Sequence, residues 1–281
     1  MTRALCAQTL NSTDMLPATY KKRSFLKFSA TIDIGKLLEE FNSIPGPEWA
    51  SSYWGNVHCS VGSLLLRGGN TGTEEDYAAK ETHDHALLEH RPYMNELIGT
   101  EGPFGKASYA FLFRMIPNGV TLAHQDLNDA WKDKFRIHIP ITSNDDAVLI
   151  SNQKMINFTP GHAWTFDNYS MHGVVNGNTE RAHLILDVPL NEKLKKEIDD
   201  AEFIEGWEDK DKLEMIYNKN HMIPSYPGDK SMREMLITLR SYGWDINKII
   251  AFLNHKKIPT KQYGEKWTKE SVIALQPLLS W

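Results

Sequence analysis

The residues most able to do chemistry in this chain are two histidines, one aspartate and one arginine: His124, Asp126, His172 and Arg181. Two imidazoles and one carboxylate are the ligands that a mononuclear non-heme Fe(II) oxygenase needs, because they fill one face of the octahedron and leave three positions open. An arginine shortly after the second histidine suits an organic co-substrate with a free carboxylate. The four residues together therefore predict metal-dependent oxygen chemistry.

The His-x-Asp triplet has little weight by itself, because the chain contains 11 histidines and such a triplet arises readily from composition. A lone histidine is also more often a surface or core residue than a ligand. Context adds the weight. Side chains two positions apart on an extended segment point to the same side, so His124 and Asp126 share a ligand face if they lie on a strand.

Alternating apolar residues predict strands after the triplet. Segments 135–141 and 181–188 carry apolar side chains on every second position, which is typical of strands. A solvated outer face would explain either segment alone. Basic residues repeated on both, beside the candidate metal ligands, favour an inward-facing polar pocket. The polar faces of the two segments hold Arg136, His138, Arg181 and His183.

Further short strands are predicted between turn sequences. Many short strands at this spacing indicate a mainly β fold, either a barrel or a jelly roll. Before them, Asp33 is a candidate N-cap of a helix that carries Leu37 and Phe41 on one face. The strands are expected at 111–115, 147–150, 155–158 and 163–166, and the turns at 117–119, 143–146, 160–161 and 176–178.

The stretch 109–190 resembles a family of enzymes. It is similar to the bacterial amino-acid hydroxylases typified by proline cis-4-hydroxylase, within the aspartyl/asparaginyl β-hydroxylase-like group of iron(II)/2-oxoglutarate dioxygenases. Weaker similarity extends upstream. The matching words are Ala123-His124-Gln125-Asp126, Arg136-Ile137-His138-Ile139, Gly161-His162-Ala163-Trp164-Thr165-Phe166-Asp167, His172 and Arg181-Ala182-His183-Leu184-Ile185-Leu186-Asp187.

The resemblance implies a double-stranded β-helix (jelly-roll, cupin-like) core with flanking helices. It implies that His124, Asp126 and His172 ligate Fe(II) and that Arg181 binds the distal carboxylate of 2-oxoglutarate. With O2, such an enzyme hydroxylates an unactivated C–H and releases succinate and CO2.

Four other basic residues fall on matching positions. The resemblance places Arg136 and His138 in the cofactor-binding pocket, near a carboxylate of the co-substrate or of the substrate. Arg67 and Arg114 could meet a substrate carboxylate, and a structural or surface role explains them equally well.

Composition is consistent with an enzyme of this class. The chain has 281 residues, a formal net charge of −5 and two cysteines without CxxC spacing, which argues against a whole-chain nucleic-acid binder, a disulfide framework and a zinc site. The sequence also shows neither a signal peptide nor an apolar run long enough to span a membrane. A cytoplasmic setting is expected. Aromatic residues at 49–54 and the stretch 68–90 form either a lid over the pocket or ordinary core and loop.

The sequence changes character after the resemblance ends. We expect a dioxygenase domain at 1–190, a charge-dense helical connector at 191–229 and a helix-turn-helix-like module of three helices at 230–281. Part of the last segment, 249–272, resembles the small helical module that follows the catalytic domain of serine recombinases. DNA binding is one interpretation of it. Packing against the barrel, dimerisation into a homodimer, or covering the substrate are others, and the mild basic excess favours them.

Three functional hypotheses follow. The first is a hydroxylase of a free amino acid or a small amino-acid derivative. The second is a hydroxylase of a residue in a peptide, protein or nucleic-acid-bound partner that the C-terminal module recruits. The third is a non-catalytic barrel that binds a ligand or metal; the complete set of three ligands and an arginine argues against it.

Overall fold

The computed structural model of the chain describes residues 25–44, 50–51, 57–58, 60–69, 82–126, 134–218, 229–255, 258, 260 and 266–275. These residues form two antiparallel sheets with helices packed around them. The mainly β fold that the alternating segments predict is therefore confirmed.

The strands are short and lie close to the predicted positions. Their bounds are β1 (Phe25–Thr31), β2 (Ala50–Ser51), β3 (Val61–Gly68), β4 (His83–Asp84), β5 (Tyr109–Met115), β6 (Val120–His124), β7 (Lys134–Thr142), β8 (Val148–Ser151), β9 (Lys154–Ile156), β10 (His162–Phe166), β11 (His172–Val175), β12 (Arg181–Pro189) and β13 (Glu202–Ile204). The larger sheet has the order β13-β1-β10-β7-β12-β5-β3-β2, with β4 paired to β3, and the smaller sheet has the order β6-β11-β8-β9.

The helices follow the apolar spacing of the sequence. The first begins where the Asp33 carboxylate accepts a hydrogen bond from the backbone N–H of Lys36 at 3.1 Å, so the predicted N-cap is confirmed. The helices are α1 (Ile34–Asn42), α2 (Pro92–Ile98), α3 (Glu192–Asp199), α4 (Lys210–Tyr217), α5 (Asp229–Ser241), α6 (Ile246–His255) and α7 (Lys269–Leu275), and a 3-10 turn covers Ala86–Leu88.

The two sheets face each other across a pocket, and each has its outer face covered by helices. On the larger sheet, Ile137 and Leu184 belong to one buried cluster with Leu37 of α1 and Leu194 of α3. On the smaller sheet, Ile216 of α4 packs in a separate cluster with Val120, Val148 and Val175. Because successive strand residues alternate between faces, the residues between these apolar ones point into the pocket.

The segment after the main strands differs from the helical connector expected at 191–229. Its described part contains α3, then β13, then α4. Strand β13 pairs with β1, with Phe203 opposite Leu26, and thereby extends the larger sheet. The sheet therefore does not end at residue 190, where the sequence analysis set the boundary of the first domain.

The last three helices form a buried cluster of their own. Its members include Met232, Leu236, Ile249, Leu253 and Val272. Two of these helices are capped at their N-termini, since side-chain oxygens of Asp245 and Thr268 accept from backbone N–H groups three residues later. Among the helices described, none is both long and apolar enough to cross a membrane.

Candidate metal centre

The two histidines of the candidate triad lie on neighbouring strands of the smaller sheet. His124 ends β6 and His172 begins β11, and the two residues are directly opposite in the pairing. Between this pair and the next, Val174 opposite Thr121, β6 contains one residue more than β11. This bulge re-aims the strand, so that His124 lies on the pocket side together with Thr121.

Asp126 completes a compact group of three donors. One ligand atom each of His124, Asp126 and His172 lies within 4.8 Å of the others. The Nε2 atom of His124 is 3.9 Å from Oδ1 of Asp126, and the two imidazole rings have centroids 4.2 Å apart. The structure thus brings together the three residues that the sequence predicted as ligands.

Both imidazoles are oriented for metal binding by their own backbone. The Nδ1 atom of His124 is 2.7 Å from the carbonyl oxygen of Leu122, and Nδ1 of His172 is 2.9 Å from that of Ser170. A carbonyl oxygen only accepts, so each Nδ1 carries the proton and each Nε2 has a free lone pair. Burial, followed by the neighbouring His124, lowers the pKa of His172 to about 4, which keeps this ring neutral.

The Asp126 carboxylate is held in its charged form. Burial opposes the charge, but Arg136, His172 and the hydrogen bond from Asn168 outweigh it and lower the pKa of Asp126. Two imidazoles and one carboxylate on one side of a buried pocket form a donor set that fits a ferrous ion.

Arg136 lines the pocket and is held by two carboxylates. Its Nε and Nη2 donate to both oxygens of Asp187 at 2.8 and 2.9 Å, and its Nη1 donates to Asp126 Oδ2 at 2.9 Å. Asp187 has an exposed fraction of 0% and faces Arg136 across β7 and β12. Arg136 was expected to bind a ligand carboxylate; in this structure it also orients a candidate metal ligand.

Arg181 lies in the same pocket, and its charge is unpaired within the described residues. Its side chain is buried, with an exposed fraction of 7%, and neither a hydrogen-bond acceptor nor an acid contacts the guanidinium there. Burial alone lowers the pKa of Arg181 to about 10. A buried, unpaired guanidinium is costly, so this position favours an anionic ligand.

Two further imidazoles, those of His138 and His183, line the same pocket. His138 and His183 are buried, with ring centroids 5.8 Å apart, and no described residue bonds to either Nε2. Burial, and then the nearby arginines, hold the pKa of His138 well below its ordinary value; burial and Arg181 do the same for His183. Both rings are therefore neutral groups with an unused nitrogen. The sequence analysis placed both histidines on pocket-facing strand faces, but assigned a cofactor-binding role to His138 alone.

His58 is a pocket residue that the sequence analysis missed. Its ring lies edge-on to that of His124, with centroids 4.6 Å apart, in the short described segment before β3. Burial, and then His124, lower the pKa of His58 to about 3. No motif surrounds this histidine in the sequence, so nothing there pointed to it.

Arg67 and Arg114 do not line the pocket. Arg67 pairs with Asp84 and donates to the carbonyl oxygen of Ile98, which gives it a structural role. Arg114 lies between two pocket residues of β5, so its side chain is on the opposite face, where it is 3.5 Å from Glu180. Of the proposed lid, residues 49, 52–54 and 70–81 lie outside the described residues.

Residues 74–190 match the family model described as "Aspartyl/Asparaginyl beta-hydroxylase". This range contains all three donors and Arg181. The chain is also 22% identical over 160 residues to the L-proline cis-4-hydroxylase of Rhizobium meliloti (strain 1021). The alignment covers 55% of this chain and 57% of that protein, so the chain matches little more than half the length of its relative.

Two solved structures are similar at low identity. A 2OG-Fe(II) oxygenase family oxidoreductase from Burkholderia pseudomallei is 14% identical, with a TM-score of 0.42, over 56% of this chain and 78% of its own. A prolyl hydroxylase from Trichoplax adhaerens is 12% identical, with a TM-score of 0.39, over 65% and 90%. Because both TM-scores are below 0.5, these similarities do not establish the fold of this chain. The family match, by contrast, spans the donor triad and the pocket arginine together.

Proposed function

We propose that this protein is an iron(II)- and 2-oxoglutarate-dependent hydroxylase. The observation that carries the proposal is one pocket that contains both a triad of metal donors and a buried guanidinium without a partner in the described residues. The triad fits a ferrous ion, and the guanidinium fits the distal carboxylate of a 2-oxo diacid. When bound, iron, 2-oxoglutarate and O2 supply the chemistry that replaces an unactivated C–H by C–OH, with release of succinate and CO2.

The residues of the chain bind, orient and exclude water. His124, Asp126 and His172 would hold the metal through one atom each, and Arg181 would hold the co-substrate at the other end of the pocket. His138, and beside it His183, would donate from neutral Nε2–H groups to its carboxylate oxygens. Most of the remaining lining residues are apolar and keep bulk water from the reacting atoms. They include Phe113, Leu149, Phe166, Val174 and Ile185.

For the substrate, we propose a free amino acid or a small amino-acid derivative. The support is the similarity to an L-proline cis-4-hydroxylase, together with the pocket between the two sheets. The competing hypotheses are a residue of a peptide or protein partner, recruited by the C-terminal helices, and a barrel that binds without turnover.

For the architecture, we propose that the two facing sheets form a double-stranded β-helix. We further propose that α5, α6 and α7 form a small helical domain, supported by their separate buried cluster. Its resemblance to the recombinase module stays a prediction, as does a homodimer.

The test is succinate formation from 2-oxoglutarate in the presence of Fe(II), screened against the free amino acids and then against peptides. Turnover on one amino acid supports the proposal. Activity on peptides alone favours the second hypothesis. The His172→Ala variant should fold but form no succinate, whereas His162→Ala, which changes a histidine outside the pocket, should behave as wild type. Full activity of His172→Ala would contradict the ligand assignment.

A further inference from the structure

The two oxygens of the Asp126 carboxylate have different surroundings. Oδ1 faces the imidazoles, 3.9 Å from His124 Nε2. Oδ2 accepts two hydrogen bonds, from Nη1 of Arg136 at 2.9 Å and from Nδ2 of Asn168 at 3.1 Å. Oδ1 therefore faces the candidate metal site, whereas Oδ2 is bound by protein side chains.

Asn168 is well placed to hold this orientation. It lies in the loop between β10 and β11 and has an exposed fraction of 9%. The backbone also joins the two residues, because the N–H of Asp126 donates to the carbonyl oxygen of Asn168 at 3.0 Å. The neighbouring Gln125 donates from Nε2 to the carbonyl oxygen of Tyr169 at 2.8 Å. The segment that carries one ligand is thus fastened to the loop that leads into the strand of another, His172.

The loop between β10 and β11 is also held by several side-chain hydrogen bonds. Asp167 accepts from the backbone N–H of Tyr169 at 3.1 Å and from the hydroxyl of Ser170 at 2.7 Å. Asn152, from the turn after β8, donates from Nδ2 to the Ser170 hydroxyl oxygen at 2.9 Å. These bonds hold the loop backbone, whereas the hydrogen bond from Asn168 Nδ2 to Asp126 is the one that reaches the candidate ligand.

We propose that Asn168 is a positioning residue that, with Arg136, restricts Asp126 to binding the metal through one oxygen. A carboxylate free to turn can bind a cation with both oxygens, and the second would then take a position that 2-oxoglutarate or O2 needs. Hydrogen bonds to the outer oxygen prevent this rotation and orient the ligand. The inference rests on the proposed function and deepens it.

The experiment titrates the metal-free full-length protein with Co²⁺ and follows both affinity and the visible absorption spectrum of the bound ion. We expect Asn168→Ala to bind Co²⁺ about 10- to 100-fold more weakly, the usual effect of losing a group that orients a metal ligand. Its spectrum should change, because the carboxylate no longer binds through one fixed oxygen. Asn168→Asp keeps the size of the side chain but cannot donate to Asp126 Oδ2, so its spectrum should change as well.

The matched control is Asn152→Gly, because Asn152 has a positive φ of 49° that glycine adopts without strain. It removes an amide hydrogen bond from the same loop but does not touch Asp126, so its Co²⁺ affinity and spectrum should remain those of wild type. The Co²⁺ titration of His172→Ala measures binding outside the triad, and its signal is subtracted from the titrations of the other variants.

Two results would overturn the inference. The first is an Asn168→Ala protein with wild-type affinity and spectrum. The second is an equal loss of affinity in Asn168→Ala and Asn152→Gly together with equally lowered melting temperatures, which would mean that Asn168 only helps the loop to fold. A wild-type protein that binds Co²⁺ at the triad but forms no succinate would refute the proposed function without affecting this inference.

Discussion

Some polar side chains in this pocket lower the stability of the ligand-free protein because they are buried without a partner of opposite charge, and Arg181 is the clearest example. Its guanidinium is buried and has no acid beside it in the described part of the chain. Such an arrangement is unfavourable in the free protein and favourable once an anion arrives. Substitutions here should therefore act on ligand binding more than on folding.

Arg181→Lys should chiefly raise the Michaelis constant for 2-oxoglutarate. An ammonium group makes one contact where the guanidinium makes two, and a hydrogen bond to a charged group contributes roughly 1.5–3 kcal/mol, or about tenfold and more in binding. Initial rates at varied 2-oxoglutarate concentration measure the change. Arg114→Lys, on the opposite face of β5, is the control and should leave the constant unaltered. An unchanged constant in Arg181→Lys would remove this residue from co-substrate binding.

His183→Phe should separate stability from binding. The substitution keeps a ring of similar size but removes a buried nitrogen that no described residue bonds. Leaving a buried polar group unsatisfied is costly, so the melting temperature of the ligand-free protein should stay or rise. Affinity for 2-oxoglutarate, measured by calorimetry with Mn²⁺ in the pocket, should fall. A raised melting temperature with wild-type affinity would show that Nε2 of His183 has no role in holding the co-substrate.

At the level of elements, the close approach of β11 to β6 and α4 sets the position of His172. This close approach requires glycine at position 173. A Cβ atom there would lie 2.8 Å from the carbonyl oxygen of Thr121 and 3.0 Å from the side chain of Ile216. No larger residue fits without displacing a strand or a helix. The residue after the metal ligand is thus part of the packing that aims the ligand.

Gly173→Ala should therefore weaken both the fold and the metal site. Overpacking of this kind costs about 1–3 kcal/mol of unfolding free energy, and the shift of β11 moves His172. Urea unfolding and Co²⁺ titration measure the two effects. Gly35→Ala, where the new Cβ would meet only Asp33 Oδ1 at an ordinary 3.4 Å, should not lower stability. If Gly173→Ala unfolded at the wild-type urea concentration, the packing argument would fail.

Much of the element level could be read from sequence, and the exceptions have physical reasons. Strands β7 and β12 were predicted because their alternation is long and regular. Strand β13 was not, since it is three residues long within a charge-rich segment. The Arg136–Asp187 pair depends on the register between β7 and β12, which the alternation does not give. Asn168 lies in a loop, where no periodic signal indicates which way a side chain points.

At the level of the whole molecule, the C-terminal helices and the sheets have separate buried clusters. Met232, Leu236 and Leu253 pack with one another, whereas the pocket is lined by residues before position 190. The metal site should then be independent of the last helices.

Removal of residues 229–281 should accordingly leave Co²⁺ affinity within about twofold of wild type, because effects at separate sites are close to additive. Succinate formation on a free amino acid should also persist. Retained metal binding with lost activity on a peptide substrate would instead favour recruitment by the helices. A shortened protein that no longer binds Co²⁺ would contradict the proposed independence.

Strand β13 and helix α4 have a practical consequence for anyone working with a shortened gene. The family match ends at residue 190, so an expression gene designed from that match would end there as well. A protein ending there would lack the strand that pairs with β1 and the helix whose Ile216 covers the smaller sheet. The unpaired edge of β1 and the uncovered apolar face of the smaller sheet would promote aggregation. Insoluble protein from such a gene would then reflect the position of the truncation and not an unstable full-length enzyme.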